Sequence, residues 1–240
     1  MVAATPTHLP IAERFVSLQG EGGLVGVPSS FVRVAGCNLR CVWCDSPATS
    51  WTPSGVQVEI AELVAFCARG PRHVVLTGGE PLLFPGVAAL SQRLRAGGHH
   101  VTVETAGTVW LDGLACDLLS LSPKLGHSTP WQRAPKLAER HERTRLDVAV
   151  LARLTASFAW QLKFVVRAAE AAADLDEVER LVRELAVPAS ERHRVLVMPE
   201  CTDPAALHAS YRTLVSACIE RGFRLGERLH IALFGHTPGT

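Results

Sequence analysis

Apolar and polar residues follow a pattern that predicts strands and helices in alternation along most of the chain. Residues 73–77 are a short, mostly apolar run and are predicted as a buried strand, and residues 101–104 are predicted as the next strand. Between them, Leu90 and Leu94 share one face of a helix that a Gly-Gly pair ends. Such alternation is typical of parallel strands joined by helices.

The same pattern predicts the remaining elements. Helices are expected over residues 59–69, 174–185 and 204–221, and strands over 114–121, 160–166 and 194–198. Segment 126–145 is rich in Pro and Arg, has weak periodicity, and is interpreted as a long loop followed by a helix. About six core strands are too few for a complete eight-unit barrel. We therefore expect one domain over residues 1–240, an incomplete βα barrel rather than a flat doubly wound sheet.

The charge balance and the first residues of the chain bear on its partners and its location. The 24 Lys and Arg residues nearly cancel the 23 Asp and Glu residues, so the net charge of +1 predicts no general attraction to nucleic acid or to a membrane. The first fourteen residues contain no Lys and no continuous apolar stretch, unlike a signal peptide or a membrane span. We expect a cytoplasmic protein.

Three of the seven cysteines, Cys37, Cys41 and Cys44, have the spacing CxxxCxxC. A structural zinc site closes with four protein ligands, whereas a 4Fe-4S cluster held by three thiolates keeps one iron open to an external ligand. Zinc completed by a distant residue such as His73 remains the alternative. The other four cysteines are scattered, and Cys67 and Cys218 are expected on buried helix faces.

A second motif, Gly-Gly-Glu-Pro at residues 78–81, directly follows a predicted strand. With the cysteine spacing, it resembles the radical SAM superfamily. The resemblance implies a 4Fe-4S cluster that binds S-adenosylmethionine (SAM), takes one electron from a low-potential donor of the flavodoxin or ferredoxin type, and generates a 5′-deoxyadenosyl radical. It also implies a barrel of the radical SAM type and SAM contacts from Gly78, Gly79, Glu80, Glu104, Ser122, Lys124 and Gln161. Most of these polar residues, Gln161 among them, are expected near the carboxyl ends of strands, and so is Lys163.

Gln-Gly-Glu-Gly at residues 19–22, with the segments before and after the cysteines, resembles the 7-carboxy-7-deazaguanine synthase family. That resemblance implies a radical SAM lyase, commonly homodimeric, that uses Mg²⁺ and contracts the ring of 6-carboxy-5,6,7,8-tetrahydropterin to give 7-carboxy-7-deazaguanine in a deazapurine (queuosine-type) pathway. It places Ser46 at Mg²⁺ and assigns no protein acid or base. It assigns the substrate to Gln19, Glu21, Arg33 and His230.

Three positions depart from the family pattern: Ser46 for Thr, Ala106 for Asn, and Cys201 for Gly. Ser46 keeps the hydroxyl, whereas Ala106 weakens the case for an amide contact at that position. Two other hypotheses about the function remain. A glycyl-radical-enzyme activase would share both motifs but act on a protein, and a non-catalytic iron-sulfur module would give Glu80 no role.

Overall fold

The computed structural model describes residues 6–240, so the first five residues of the amino-terminal stretch considered above lie outside the described part. The strands are β1 His8–Leu18, β2 Pro28–Val34, β3 Val56–Glu59, β4 His73–Gly78, β5 His100–Thr105, β6 Leu118–Leu121, β7 Trp160–Val166, β8 Val195–Pro199 and β9 Arg224–Leu225. The helices are α1 Pro47–Ser50, α2 Ile60–Ala68, α3 Pro85–Ala96, α4 Pro135–Thr144, α5 Val148–Ser157, α6 Ala171–Glu184, α7 Pro204–Arg221 and α8 Leu229–Phe234.

All nine strands form one open sheet in the order β3-β1-β2-β4-β5-β6-β7-β8-β9. From β2 to β9 each pair of neighbours is parallel, whereas β1 runs antiparallel to both β2 and β3. Strands β3 and β9 are the two edges. Six parallel strands of four to seven residues, plus the two-residue β9, confirm the expected incomplete barrel.

The two faces of the sheet differ in chemistry because side chains alternate along each strand. The outer face packs against the helices: Val74 and Leu76 of β4 join Leu63 of α2 and Leu90 of α3 in the main apolar core. The inner face carries polar side chains instead. They are Arg33 of β2, His73 and Thr77 of β4, Thr102 and Glu104 of β5, and Gln161 and Lys163 of β7.

Several predicted boundaries agree with the structure. Strand β7 and helix α7 have the predicted bounds. Segment 126–145 is a loop followed by helix α4, as expected, and the loop begins with a short 3-10 turn that was not expected. Strand β6 begins at Leu118, later than residue 114, because Asp117 instead accepts a hydrogen bond from the Val101 N–H at 2.8 Å. The sequence analysis did not predict strands β1, β2, β3 and β9 or helices α1, α5 and α8.

Two smaller expectations concern cysteines and membranes. Cys67 and Cys218 are buried on helices α2 and α7, which confirms their predicted positions. Among the helices within residues 6–240, none combines the length and the apolar character that crossing a bilayer requires.

Candidate active site

A cavity of about 630 Å³ lies over the inner face of the sheet. Its walls come from the loops that follow β2, β4 and β6, from the end of β5, from the turn after β1, and from the segment between β9 and α8. Two of the predicted site residues, Glu80 and Gln161, do not line it. The structure brings all the others together around it: Gln19, Glu21, Arg33, Cys37, Cys41, Cys44, Ser46, Gly78, Gly79, Glu104, Ser122, Lys124 and His230.

The three cysteines of the CxxxCxxC loop are free thiols that face this cavity. Burial raises the pKa of Cys37 to about 11 and that of Cys41 to about 12, so both thiols are neutral at pH 7. Within residues 6–240, no three His, Cys, Asp or Glu side chains converge as a site for a single metal ion.

Two buried histidines hold the cysteine loop, and sequence reasoning missed both. His141 of α4 accepts a hydrogen bond from the Arg40 N–H at 2.9 Å, and burial lowers its pKa to about 4, so it is neutral. His127 accepts one from the Trp43 indole N–H at 3.0 Å. Both lie in segment 126–145, whose weak periodicity gave no sign of such a role.

The turn at residues 78–80 touches the cysteine loop through its main chain. The Glu80 N–H donates to the Gly36 carbonyl at 2.9 Å, and a β-carbon at Gly79 would collide with the same carbonyl. Only glycine permits this approach. The backbone therefore fixes the position of this turn relative to Cys37.

The Glu80 carboxylate is fully buried behind that turn. It accepts hydrogen bonds from the Thr105 hydroxyl at 2.7 Å, the Ala106 N–H at 2.8 Å and the Leu82 N–H at 3.0 Å. Burial raises the pKa of Glu80, although these three bonds oppose the shift. The hydrogen bonds of the Glu80 carboxylate therefore tie the end of β5 to the turn and do not reach the cavity.

Gln161 occupies the second position of β7, at the amino end of the strand rather than near its carboxyl end. Its amide oxygen accepts from the Gly23 N–H at 2.8 Å, and its amide nitrogen donates to the Ser120 hydroxyl at 2.8 Å. A side chain at Gly22, whose φ is +83°, would collide with this amide. Gln161 thus anchors the turn after β1 below the cavity.

Glu21 lies at the centre of a buried charge network. Its carboxylate accepts from Lys163 Nζ at 3.0 Å and from Arg228 Nε at 3.2 Å. Burial favours the neutral acid, but the charges of Lys163 and Arg228 hold the pKa of Glu21 well below its ordinary value. Burial likewise opposes the charge of Lys163, yet Glu104 and Glu21 raise its pKa.

Lys163 and Arg228 are site residues that the sequence analysis did not assign. Lys163 also donates to Glu104 at 3.3 Å, and Arg228 reaches Asp45, directly after Cys44, at 3.0 Å. The signal for Lys163 was available, because a Lys within a buried apolar strand requires a partner. Arg228 follows the weakest element, the two-residue β9, and had no such signal.

The remaining polar groups at the cavity wall form two clusters, each around one cation. Arg33 donates from Nε to Glu13 at 2.6 Å and from Nη1 to the Ser46 hydroxyl at 3.3 Å. Lys124 donates to the Ser122 hydroxyl at 2.7 Å. Arg33 and Lys124 each keep N–H groups that can donate to a ligand, since Arg has five N–H groups and Lys three.

Known proteins resemble this chain in sequence and in fold. The model of the radical SAM superfamily matches residues 31–129. A 7-carboxy-7-deazaguanine synthase of Rhodopirellula baltica is 45% identical over 99% of this chain and 91% of that protein. One from Halobacterium salinarum is 44% identical over 97% of this chain and 93% of its own. The crystal structure of QueE from Escherichia coli matches with a TM-score of 0.67 and 26% identity, covering 93% of this chain and 95% of that one.

Proposed function

The chain belongs to the 7-carboxy-7-deazaguanine synthase family of the radical SAM superfamily, and we propose that its cavity carries out that family's reaction. The reaction contracts the ring of 6-carboxy-5,6,7,8-tetrahydropterin to give 7-carboxy-7-deazaguanine, with loss of a nitrogen, in deazapurine biosynthesis. The observation that carries the proposal is the convergence of the cysteine loop with Gln19, Glu21, Arg33 and His230 around one cavity. We assign residues 1–240 to a single radical SAM domain.

The cysteine loop fits a 4Fe-4S cluster. Cys37, Cys41 and Cys44 supply three thiols from one loop, and the loop is held from behind by His127 and His141. The raised pKa values of Cys37 and Cys41 mean that metal binding must displace protons from these two thiols, as thiolate ligation requires. When bound, the cluster and SAM supply a radical that abstracts hydrogen from the substrate. The protein's own residues hold and orient the two small molecules.

We assign SAM to the cavity wall formed by the carboxyl ends of β4, β5 and β6. Gly78 and Gly79 line this wall without side chains, so a ligand can approach their backbone closely. Glu104, Ser122 and Lys124 offer one anionic, one neutral and one cationic group to its polar atoms. Glu80 and Gln161, which were expected to touch SAM, act here as positioning residues. They hold the turn at residues 78–80 and the turn after β1, respectively.

We assign the substrate to the opposite wall. Its carboxylate suits the guanidinium of Arg33, whose Nη2 is not used in the bonds to Glu13 and Ser46. Its aminopyrimidinone edge presents N–H donors and a carbonyl, which suit the carboxylate of Glu21 and the amide of Gln19. His230 lies 3.9 Å from Glu21 and completes this wall.

Magnesium fits next to the substrate carboxylate. Ser46 and Asp45 place a hydroxyl and a carboxylate 3.2 Å apart, and both are hard oxygen donors of the kind that Mg²⁺ prefers. Because the Ser46 hydroxyl also touches Arg33, an ion held there adjoins the substrate carboxylate. Two protein oxygens are sufficient, since Mg²⁺ usually keeps several waters.

We also propose the setting in which the enzyme acts. A low-potential donor of the flavodoxin or ferredoxin type reduces it in the cytoplasm, a reducing compartment that suits a chain whose cysteines, all within residues 6–240, form no disulfides. We propose a homodimer, because Val215 and Ile219 lie one turn apart on the exposed side of α7 and give a second copy an apolar surface to cover. Light scattering that yields twice the chain mass of 25.8 kDa tests the dimer.

Anaerobic reconstitution tests the function. The protein is loaded with iron and sulfide, then given SAM, dithionite, Mg²⁺ and the carboxypterin, and mass spectrometry is used to detect the deazaguanine. Cys41→Ala should abolish product, whereas Cys116→Ala, a matched change outside the site, should not. Cleavage of SAM without the deazaguanine would exclude this substrate, and equal loss in both variants would exclude the ligand assignment.

A further inference from the structure

The outer side of the cysteine loop is exposed and lies apart from the cavity. Val42 stands between Cys41 and Trp43, which both line the cavity, but Val42 does not line it and is 41% exposed. The Val42 N–H donates to the Ser128 carbonyl at 2.8 Å. The back of the loop therefore meets the segment that leads into α4.

That segment adds one exposed aromatic side chain, Trp131, and one exposed aliphatic side chain, Leu137, which are 52% and 41% exposed. Between them along the chain, the Arg133 guanidinium lies 3.8 Å from the centre of the Trp51 ring. The Trp51 indole in turn donates to the Cys41 carbonyl at 2.9 Å. We call this surface the outer platform: Val42, Trp131, Arg133, Lys136, Leu137 and Arg140.

The outer platform is basic, although the whole chain carries a net charge of only +1. Residues 131–145 contain two acidic side chains, Glu139 and Glu142, against five basic ones, Arg133, Lys136, Arg140, Arg143 and Arg145. Arg133, Lys136 and Arg140 are exposed, and within the described chain none of the three forms an ion pair. These cations are therefore available to an acidic partner.

We propose that the outer platform docks the protein that reduces the cluster, a low-potential electron donor with acidic side chains around its redox centre. The inference rests on the proposed function, which requires such a donor. One electron passes from the reduced donor to the cluster, and no atoms are exchanged. Docking at Val42 brings the donor to the chain between two cluster ligands without displacing SAM or substrate from the cavity.

The character of the platform suits this partner. Redox encounters are brief and bury little area, so a few apolar side chains suffice at the centre. Complementary charge at the rim accelerates association and weakens as salt rises. Arg133, Lys136 and Arg140 provide such a rim for acidic side chains.

The experiment reverses two rim charges in Lys136→Glu/Arg140→Glu. The matched control, Arg69→Glu/Arg93→Glu, makes the same charge change at exposed positions near the ends of α2 and α3, which lead toward the amino ends of β4 and β5. Binding of an acidic flavodoxin is measured at low salt by calorimetry. Product formation is measured with that flavodoxin, reduced through its reductase, and separately with dithionite.

The platform variant should bind flavodoxin at least tenfold more weakly and turn over at least tenfold more slowly with limiting flavodoxin, while dithionite-driven turnover stays within twofold. The control should match the unmodified protein. Unchanged binding and unchanged flavodoxin-driven turnover would overturn the proposal, as would an equal loss with dithionite. A change in molar mass without a change in flavodoxin binding would mean that the platform joins two copies of this chain. If the unmodified protein binds flavodoxin in this charge-dependent way but makes no deazaguanine, the proposed function fails and the docking surface stands.

Discussion

The inner face of the sheet buries polar groups in two regions of opposite character. At the amino ends of the strands, His73 lies 2.6 Å from the Ser29 hydroxyl and 2.8 Å from the Thr102 hydroxyl, and burial lowers its pKa to about 4. Nearer the cavity, the half-buried Glu21 and the buried Lys163 remain charged. The first cluster is neutral and closed, whereas the second is ionic and open to the cavity.

The difference shows where this fold retains buried charged side chains, which are unfavourable to desolvate. A neutral hydrogen-bonded cluster stays buried at little expense, but a buried charge loses several kcal/mol of hydration unless it is well paired. Ions are kept beside the cavity, where the proposed substrate, with its carboxylate and N–H donors, would need them. We therefore propose a structural role for the His73 cluster and a recognition role for the Glu21 network.

The largest expected effect comes from breaking the ionic region. Lys163→Met should lower the free energy of unfolding by about 3–5 kcal/mol, because it leaves Glu21 and Glu104 without their shared cation. Urea denaturation of the cluster-free protein at pH 7 measures this value. Lys163→Arg, which keeps the charge, should lose less. A loss below about 1 kcal/mol for Lys163→Met would contradict this account of the pairing.

Breaking the neutral region should have a smaller effect on stability and none on recognition. His73→Ala should lower the free energy of unfolding by about 2–3 kcal/mol, because it removes two hydrogen bonds and leaves the Thr102 hydroxyl unpaired. Substrate affinity of the loaded enzyme, measured by calorimetry, should stay unchanged. A large loss of affinity would show that the two regions are coupled.

Acid should separate the regions by pH. His73 has a folded pKa of about 4 and an unfolded pKa of 6.5, so the unfolded chain binds the proton first and stability falls as pH drops through that window. We expect a loss of roughly 2 kcal/mol from this group between pH 7 and pH 5, with His141 acting in the same direction.

Glu21 behaves differently, because its pKa is lowered on folding and its contribution is lost only below its unfolded value of 4.5. Urea midpoints at pH 7, 6 and 5 follow the change. The His73→Ala protein should show a shallower slope over this range. An identical slope in the two proteins would remove His73 as the cause.

The smallest effect is expected at the proposed metal ligand. Ser46→Ala should reduce the stimulation of turnover by Mg²⁺ roughly two- to fivefold, the worth of one oxygen contact, and leave the absorbance of the cluster unchanged. Ser46→Thr, which keeps the hydroxyl, should be tolerated. If Ser46→Ala keeps its full response in a magnesium titration, the ion is held elsewhere.

Sequence pattern predicted the elements whose periodicity is uninterrupted. Strand β7 is a continuous run of seven buried residues, and α7 begins with Asp203 capping and ends at a left-handed glycine. Strand β1 escaped prediction because it contains Pro10 and its register shifts between Ile11 and Glu13. An interrupted alternation hides a strand even when it is eleven residues long.

The site was predictable only where ligands lie close in sequence or match a family motif. Cys37, Cys41 and Cys44 occupy a single loop, so their spacing was sufficient to predict that the three thiols lie close together at the cavity. The contact between Arg228 and Asp45 joins residues 183 positions apart, and no local pattern encodes it. Likewise, the Glu80 carboxylate is directed to Thr105 and Ala106 by the packing of β4 beside β5, which a motif does not describe.

The turn after β1 is tied to distant parts of the molecule. Gln19 donates to Glu104 of β5, the Gly23 N–H donates to Gln161 of β7, and the Gly20 carbonyl accepts from the Leu229 N–H at the start of α8. Groups held so firmly lose little conformational freedom when a ligand arrives. They also cannot turn to new partners when a ligand lacks the matching atoms. A pterin analogue without its N–H donors would leave unpaired only the acceptor sites of Glu21 that Lys163 and Arg228 do not use. Selectivity for the ring edge then arises from rigidity rather than from the number of contacts.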